Sequence, residues 1–331
     1  MNLNNLNIGF VYDLRDDYLK EGFTSEQVAE FDTESTISSI TRALTELGCK
    51  VDRVGNAKAL VKQIVAGKRW DLVFTIAEGV KGRSREAQVP AILELYDIPY
   101  TFSDPLVSAM TLDKEMAKKI VRDAGLNTPK SYLVQSDADV ANVKLTYPLF
   151  AKPVAEGTGK GVNARSKITS PAQLADVCKA LLKQFHQPVL VEEYLPGRES
   201  TTAILGTGPK ARVLGTMEIR VKSGAPAQDY SYEVKELCEK FVEYFPMPKD
   251  SIRQKVEELA LACYRALECR DTARVDIRFD ANGNPSFIEI NPLPGLHPLH
   301  SDLPMIATQE GMSYKELLAS IIDSALEKGD S

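Results

Sequence analysis

Oxygen-bearing side chains near the C-terminus have a spacing that suits a metal ion. Asp276 precedes the turn residues Asn282 and Gly283, and Glu289 and Asn291 follow them. A two-residue hairpin turn at Asn282 and Gly283 would place Asp276 opposite Glu289. Two facing carboxylates repel unless a divalent cation lies between them, and carboxylate and amide oxygens are ligands that Mg²⁺ accepts. The pattern therefore predicts either a metal site that serves substrate phosphates or a solvated polar face of a hairpin.

The composition excludes several classes of function. The 331 residues are 44% hydrophobic and 26% charged, and the formal net charge is −6, with acidic and basic residues interspersed. This balance argues against nucleic-acid binding and leaves small-molecule chemistry open. No run of about 18 apolar residues could cross a membrane, and the polar N-terminus lacks the layout of a signal peptide. We therefore expect a cytoplasmic protein without nucleic-acid or membrane partners.

The histidines and cysteines exclude further kinds of site. The three histidines are too few for a His-rich metal site, and no GxSxG motif of a serine hydrolase is present. The five cysteines are scattered without CxxC spacing, so we expect reduced thiols.

Strands and helices alternate in the first third of the chain, which indicates a parallel α/β domain. The predicted elements there are strands at residues 8–12, 51–54 and 70–76, an extended segment at 98–102, and helices at 36–47 and 88–96. The rest of the chain indicates α+β structure. Its predicted elements are helices at 113–124, 171–183, 251–267 and 313–326, strands at 131–134, 149–153, 162–165, 188–192, 202–205 and 213–221, and the hairpin, which would also place Arg274 opposite Asn291.

A glycine-rich segment, KPVAEGTGKG at residues 152–161, is a second candidate for chemistry. Its glycines let backbone amides approach an anion, Thr158 adds a hydroxyl group, and Lys152 and Lys160 add positive charge. The spacing differs from the GxxxxGK[ST] of a P-loop. We expect phosphate contact here, with a flexible turn as the alternative.

Two further segments occupy positions where a ligand could bind. VEEYLPGRE at residues 191–199 begins on a strand whose edge could bind adenine, and Glu199 could accept hydrogen bonds from ribose hydroxyls. Residues 77–87 follow the predicted strand 70–76, at the carboxyl end of the sheet where open α/β folds bind ligands. Lys81, Arg83 and Arg85 make this loop cationic, although a basic connecting loop without a ligand has the same composition.

Taken in order, these motifs resemble the ATP-grasp superfamily and, within it, the D-alanine–D-alanine ligase family. The resemblance runs from about Trp70 to the C-terminus. Its segments are DK at 113–114, KPVAEGTGKG at 152–161, VEEYLPGRE at 191–199, YSYEVK at 230–235, RVD at 274–276 and EINPLPG at 289–295. It implies an α/β and α+β fold of three domains: an N-terminal parallel α/β domain at 1–112 and two ATP-grasp subdomains at 113–200 and 201–331.

The resemblance also implies roles for individual residues. ATP would be bound by Lys114, Lys152, Glu192, Glu193, Tyr194, Leu195, Glu199 and Lys235, with Lys235 at the γ-phosphate. Mg²⁺ or Mn²⁺ would be bound by Asp276, Glu289 and Asn291, in agreement with the hairpin pattern. The residues implied in catalysis are Arg274 and the amide of Gly295, which would stabilise an oxyanion, together with Lys235 and Thr158.

The segment that would bind the first substrate departs from the family pattern. The family's HGxxGEDG is EGVKGRSR here, so Arg83 replaces an acidic residue that helps to position the first D-alanine. Arg83 and Arg85 would suit an anionic substrate, or they would pair with Glu78 and Glu86. The family's N-terminal GGxSxE signature is absent. The substrate-binding candidates are therefore Glu34 for the amine, Glu78, Arg83 and Arg85 for the first substrate, and His300 and Ser301 for the second.

The implied activity is the ATP-dependent joining of a carboxylate to an amine through an acyl phosphate, with two amino acids or amino-acid-like molecules as substrates. The changed segment leaves two products open: D-alanyl-D-alanine, or the product of a specialised pathway that uses a different, anionic carboxylate. A non-catalytic regulator that binds ATP or amino acids and a kinase that releases the phosphorylated carboxylate are further alternatives. Related ligases are commonly homodimers, so the resemblance implies that state.

Overall fold

The computed structural model describes residues 3–222 and 241–327. Within these ranges the strands form three sheets. The strands are β1 Asn7–Val11, β2 Lys50–Gly55, β3 Leu72–Thr75, β4 Ser131–Val134, β5 Leu149–Pro153, β6 Lys167–Ile168, β7 Val189–Glu193, β8 Glu199–Leu205, β9 Arg212–Val221, β10 Val242–Pro246, β11 Thr272–Phe279 and β12 Pro285–Asn291. The α-helices are Arg15–Lys20, Glu34–Glu46, Ala57–Val65, Gln88–Leu95, Pro105–Leu112, Lys114–Asp123, Pro171–Phe185, Ser251–Ala266, Asp302–Gln309 and Tyr314–Glu327.

The first sheet is parallel, with strand order β2-β1-β3. Ile8 of the central strand is paired with Val51 on one side and Leu72 on the other. Apolar cores lie on both faces of this sheet, which explains the unbroken apolar sequences of β1 and β3. The predicted parallel α/β arrangement is confirmed, and a parallel bridge between Val73 and Tyr100 continues the sheet.

The second sheet is antiparallel, with strand order β4-β7-β5-β6, and packs against the helix Pro171–Phe185. The strand predicted at residues 162–165 is wrong, because the chain turns there and β6 begins only at Lys167. The Asn163 side chain accepts a hydrogen bond from the Arg165 amide (2.9 Å), and the Asn163 amide donates to Ser166 Oγ (3.1 Å). Asn and Ser side chains stabilise turns in this way at the expense of extended structure.

The third sheet is antiparallel, with strand order β10-β9-β8-β11-β12. Its last two strands form the predicted hairpin. The expected pairs, Asp276 with Glu289 and Arg274 with Asn291, are both present. The hairpin therefore brings the carboxylates together as the sequence predicted.

The turn of this hairpin differs from the prediction. The paired strands end at Phe279 and Pro285, so the two-residue turn is wrong and residues 280–284 form a longer loop. Asp280 stabilises the loop by accepting hydrogen bonds from the amides of Asn282 and Asn284, both at 2.8 Å. Ile288 is an extra residue in β12 that shifts the register by one. This β-bulge restores the carboxylate pairing that the shorter turn would have given.

A shared apolar core joins the first sheet to the C-terminal part of the chain. It contains Ile8 and Phe74 of the first sheet, Met217 of β9, and Leu303 and Ile321 of the last two helices. Burying these side chains together fixes the first sheet against the third, because such a core tolerates few alternative arrangements. The edge that carries the loops after β1 and β3 therefore faces the β11–β12 hairpin.

The helix Lys114–Asp123 begins directly after the preceding helix. Asp113 is its N-cap, and the Asp113 side chain accepts a hydrogen bond from the Met116 amide. Ala117 and Val121 pack into the core under the third sheet. This cap and this packing place Lys114 at the start of the helix, while the domain boundaries at residues 112 and 200 stay a prediction.

Two properties of the whole chain bear on its environment. Across the described ranges, no helix combines the length and the apolar surface that a membrane span requires. The cysteines in those ranges, Cys49, Cys178, Cys263 and Cys269, are buried and carry free thiols, and Cys238 lies outside the ranges.

Replacing Tyr264 by Phe tests the packing of the helix Ser251–Ala266 against the third sheet. The Tyr264 hydroxyl donates a hydrogen bond of 2.7 Å to the carbonyl of Gly206, just after β8. Its loss should lower the free energy of unfolding by about 1 kcal/mol, measured by urea denaturation. The control Tyr96→Phe, on a side chain that is 37% exposed, should change that free energy by less than about 0.5 kcal/mol. Equal effects of the two substitutions would contradict the prediction.

Candidate active site

Two adjoining cavities lie where the three sheets meet. The first has an empty volume of about 800 Å³ and lies between the second and third sheets. The second, of about 1240 Å³, extends from there toward the first sheet. Lys114, Glu156 and Glu289 line both cavities, so the two form one continuous cleft.

A chain of alternating buried charges crosses the floor of the first cavity. Glu192 on β7 lies 2.9 Å from Lys118 and 3.1 Å from Lys152 on β5. Glu289 on β12 lies 4.0 Å from Lys152 and 3.4 Å from Lys114. Buried ions need partners of opposite sign because they have lost their hydration. The charge chain therefore ties the helix Lys114–Asp123 to the second and third sheets.

The pKa values in the charge chain follow from this alternation. Burial raises the pKa of Glu192, but Lys118 and Lys152 outweigh burial and hold this pKa below its usual range. Burial lowers the pKa of Lys152, but Glu192 and Glu289 outweigh it, so this pKa lies above its usual range. Glu192 and Lys152 therefore remain charged at neutral pH.

Lys118 is a site residue that the sequence analysis missed. It is fully buried, and burial lowers its pKa despite the neighbouring Glu192. Its ammonium group also donates to Thr128 Oγ1 at 3.1 Å. Lys118 lies on the buried side of its helix, between Lys114 and Val121. A lysine among the apolar positions of an amphipathic helix is the signal that could have identified it.

An apolar slot forms one wall of the first cavity. The rings of Phe150 and Tyr194 are stacked with centroids 6.3 Å apart, and Leu195 and Ile288 also line the cavity. The Lys167 ammonium lies 4.2 Å from the centroid of the Tyr194 ring. Flat apolar walls beside a cation suit a planar heteroaromatic ring.

The end of β7 is less open than the sequence suggested. The amides of Glu193 and Tyr194 already donate to the carbonyls of Lys130 and Pro148, both at 3.0 Å. The expectation of a strand edge with free backbone groups is therefore corrected for these two amides. Glu199 lines the same cavity, and its carboxylate lies 3.5 Å from the Arg278 guanidinium.

The expected metal ligands lie together on the β11–β12 hairpin. Asp276 accepts hydrogen bonds from Thr201 Oγ1 (2.6 Å) and Asn291 Nδ2 (3.3 Å), and Arg274 lies 3.2 Å from it. With Glu289 opposite, two carboxylates and one amide fit a hard cation once the Asn291 amide turns its oxygen inward. In residues 3–222 and 241–327, no group of three His, Cys, Asp or Glu side chains could hold a metal ion. A cation on the hairpin would therefore need further ligands, which substrate phosphates supply.

Glu30 holds the glycine-rich segment against the chain that follows β1. Its carboxylate accepts a hydrogen bond from the Gly157 amide (2.7 Å) and pairs with Lys160 (2.7 Å). Arg85 donates to both Glu30 oxygens, at 2.9 and 3.0 Å. A Cβ atom at position 157 would lie 2.3 Å from Glu30 Oε1, so glycine is required for this approach. The sequence analysis missed Glu30, and no local signal identifies it, because these partners lie 55 to 130 residues away.

The two arginines of the loop after β3 have their shortest ion pairs with acids outside this loop. Arg83 is 72% exposed and pairs with Asp113 at 2.6 Å. Arg85 is buried and approaches Glu30 (2.9 Å) more closely than Glu86 (3.8 Å). Neither arginine lines the cleft, so the expectation that they bind an anionic substrate is corrected.

Glu34 also lies outside the cleft. It begins the helix Glu34–Glu46, and its carboxylate pairs with Arg53 at 2.7 Å on a half-exposed surface. Ser38 donates a further hydrogen bond to it at 2.7 Å. Because Glu34 lines neither cavity, the expectation that it binds a substrate amine is corrected.

Glu78 and Glu86 line the second cavity side by side. Burial raises the pKa of Glu78 well above its usual range, and Glu86 and Glu30 raise it further. Burial also raises the pKa of Glu86, to about 7, although Arg85 opposes this and the Glu78 side chain is hydrogen-bonded to it. Two buried acids in contact share a proton near neutral pH.

The other expected residues line the second cavity or fall outside the described ranges. Arg274 pairs with Asp302 at 2.5 Å, at the start of the helix Asp302–Gln309. The Ser301 hydroxyl accepts a hydrogen bond from the His297 amide at 2.9 Å, and the His297 and His300 rings lie 4.6 Å apart. Also lining this cavity are Thr158, Asn291 and Gly295. Lys235 and the YSYEVK segment lie outside the described residues.

Known proteins share both this sequence pattern and this fold. Residues 120–323 match the family model described as D-ala D-ala ligase C-terminus. A D-alanine–D-alanine ligase of Aquifex aeolicus is 35% identical over 87% of this chain and 93% of its own length. The chain belongs to the D-alanine–D-alanine ligase family.

Further members of the D-alanine–D-alanine ligase family agree with this assignment. One from Bordetella petrii is 36% identical over 79% of this chain and 78% of its own. The crystal structure of the Bacillus anthracis ligase complexed with ATP superposes with a TM-score of 0.74 at 23% identity, over 98% of this chain and 100% of that one. The predicted ATP-grasp fold and the predicted class, an ATP-dependent ligase of this family, are thereby confirmed.

Replacing Glu86 by Gln tests the buried carboxyl pair through the pH dependence of stability. The pKa of Glu86 is raised from 4.5 to about 7 in the folded protein, so the folded state binds more protons than the unfolded state between these pH values. Wild-type stability should therefore fall as pH rises through this window. The Gln side chain does not titrate, so the variant should not lose stability at this position. As pH rises from 4.5 to 7, its free energy of unfolding should come to exceed that of wild type by on the order of 2 kcal/mol. The exposed control Glu21→Gln should parallel wild type, and a pH-independent difference for Glu86→Gln would contradict the prediction.

Proposed function

We propose that this chain uses ATP to phosphorylate the carboxylate of one amino acid and then joins the acyl phosphate to the amine of a second. The carboxylate oxygen attacks the γ-phosphorus and ADP leaves; the amine then attacks the acyl carbon, loses a proton, and phosphate leaves. The charge chain supports this proposal most strongly, because it holds Lys114 and Lys152 beside Glu289 of the hairpin. Cations in this position neutralise phosphate oxygens during phosphoryl transfer.

The nucleotide would bind in the first cavity. Adenine would occupy the slot beside Phe150 and Tyr194, and Glu199 would accept hydrogen bonds from the ribose. Lys114 and Lys152 would contact the phosphates. Glu192, Glu193 and Leu195 also line this cavity and would contact the nucleotide. The role of Lys235 at the γ-phosphate stays a prediction.

Asp276, Glu289 and Asn291 would hold Mg²⁺ or Mn²⁺. When bound, a divalent cation neutralises phosphate charge. The protein prepares these ligands with hydrogen bonds and opposite charges, since Thr201 orients Asp276 and Lys114 lies beside Glu289. These contacts would orient Asp276 and Glu289 without the nucleotide, whereas the Asn291 amide would turn to present its oxygen to the cation.

The joining step would take place in the second cavity. Arg274, held in place by Asp302, and the amide of Gly295 would stabilise the negative charge that develops on the acyl oxygen. His300 and Ser301 line the same part of the cavity and would contact the second amino acid. The glycine-rich segment, with Thr158 on its exposed side, would keep water from the acyl phosphate.

The assembly and location of the protein rest on the family resemblance. We propose on that basis a homodimer in the cytoplasm. Its other partners would be small amino-acid-like substrates, and the net charge of −6 disfavours nucleic acid.

Replacing Asp276 by Asn tests the ligase proposal. Wild type should release phosphate from ATP with selected pairs among D- and L-amino acids, and mass spectrometry should show the condensed product. Asp276→Asn should lower kcat at least about 100-fold, because it removes a carboxylate that offsets the charge of the metal–phosphate assembly. The exposed control Asp16→Asn should retain wild-type kcat. Phosphorylated carboxylate without condensation would indicate a kinase, and ATP binding without phosphate release in any mixture would indicate a regulator; either would refute ligation.

Replacing Lys152 by Met tests the nucleotide site. Lys152 is buried and charged beside Glu192 and Glu289, so its loss should weaken binding of a non-hydrolysable ATP analogue at least about tenfold, measured by calorimetry. Lys152→Arg keeps the charge and should bind the analogue more tightly than the Met variant. Lys183→Met, on an exposed helix position, is the control. Unchanged affinity in folded Lys152→Met would place the phosphates elsewhere.

A further inference from the structure

The carboxylates of the second cavity differ in whether the protein supplies them with a cation. Those with a Lys or Arg nitrogen within 3.5 Å are Glu30 (2.7 Å from Lys160), Glu156 (2.6 Å from Lys160), Glu289 (3.4 Å from Lys114) and Asp302 (2.5 Å from Arg274). The other acids that line this cavity are Glu78 and Glu86. A buried carboxylate without a cation is costly, so these two acids need a separate explanation.

In the part of the chain that the structure describes, no Lys or Arg nitrogen lies within 3.5 Å of Glu78 or Glu86. No Lys, Arg or His nitrogen there lies within 4.0 Å of Glu78, and the nearest to Glu86 is Arg85, at 3.8 Å. Arg85 is already engaged, since it donates to both oxygens of Glu30. The Glu86 side chain is only 10% exposed, so water does little to offset its charge. A cation that enters the cavity would take the place of the proton that the two acids otherwise share.

The loop that carries the pair turns its basic residues away from the cavity. Arg83 reaches out to Asp113 and is 72% exposed, and Lys81 is exposed. The loop was expected to offer positive charge to an anionic substrate, but it presents Glu78 and Glu86 to the cavity instead. The electrostatic preference of this wall is therefore for a cation.

Glu30 also lines this cavity, but its carboxylate oxygens are already occupied and are not offered to a ligand cation. Its Oε1 accepts hydrogen bonds from Arg85 and the Gly157 amide, and its Oε2 accepts them from Arg85 and Lys160. With both oxygens engaged, Glu30 serves to hold the glycine-rich segment. The substrate ammonium groups are left to Glu78 and Glu86.

We propose that Glu78 and Glu86 bind two positively charged groups of the first substrate, which is therefore an amino acid with a basic side chain. One carboxylate receives the α-ammonium group and the other receives the side-chain cation. The substrate carboxylate remains for phosphorylation near the hairpin. This inference rests on the proposed ligase function and names the substrate class of its first site.

Calorimetry on the full chain with Mg²⁺ and a non-hydrolysable ATP analogue tests this assignment. The probes are lysine and ornithine as basic amino acids, alanine as the neutral one and glutamate as the anionic one, each as the D and the L form. At least one basic probe should bind at least about tenfold more tightly than alanine and glutamate, as expected for an added charge-assisted hydrogen bond.

Neutral variants test which side chains carry the preference. Glu78→Gln and Glu86→Gln should each weaken binding of the basic probe at least about tenfold, while affinity for the ATP analogue stays within about twofold. Both substitutions preserve shape, and the Gln amide can donate the hydrogen bond that the shared proton supplies, so the fold should be retained. Glu21→Gln, on an exposed acid that lines neither cavity, should change neither affinity.

The outcomes separate this inference from the ligase proposal. Tighter binding of alanine or glutamate than of every basic probe, binding of none of them, or unchanged affinity in both Gln variants overturns the cation assignment. If a basic probe binds as described but no amino-acid pair gives a condensed product, ligation fails and the cation site stands. If a neutral pair is condensed by wild type and by both Gln variants with equal kcat/KM, ligation stands and the cation site falls.

Discussion

A buried ion is stable only when an opposite charge replaces the water that it has lost, and the cleft is built around this requirement. The contacts run in the order Lys118, Glu192, Lys152, Glu289 and Lys114, so that positive and negative charges alternate. The first and last of these residues are on one helix, and the other three are on three strands of two sheets. Each interior ion depends on neighbours from different elements. The chain of charges therefore forms only when the helix and both sheets are packed in one arrangement, and that arrangement also opens the first cavity.

The same requirement explains the contacts of the glycine-rich segment. Glu30, far away in sequence, is neutralised by Lys160 and Arg85 and accepts a hydrogen bond from the Gly157 amide. These contacts bring a segment that would otherwise be a free turn against the edge of the first sheet. Across the cavity, Glu78 and Glu86 satisfy the requirement only through a shared proton or a bound cation. Function is expected where the structure leaves such a charge uncompensated.

Much of the fold followed from local patterns. The apolar strands of the first sheet, the helix after Asp113 and the pairing of Asp276 with Glu289 were all predictable, because periodicity and caps act over a few residues. The length of the hairpin turn was not predictable, because the longer loop and the bulge at Ile288 compensate each other and leave the same pairing. The prediction of a strand at residues 162–165 was wrong because Asn163 and Ser166 stabilise a turn there, and the pattern of apolar residues does not reveal it.

The sequence alone determined the family, most of the elements and the types of residue that the cleft contains, since motifs and periodicity are local properties of the chain. Only the tertiary structure decided which charges face which partners. In the folded protein Arg83 pairs with Asp113, Arg85 with Glu30 and Glu34 with Arg53, and Lys118 is buried beside Glu192. The physical reason is that a charged side chain can reach several partners of opposite sign, and its choice depends on burial and distance, which long-range packing sets.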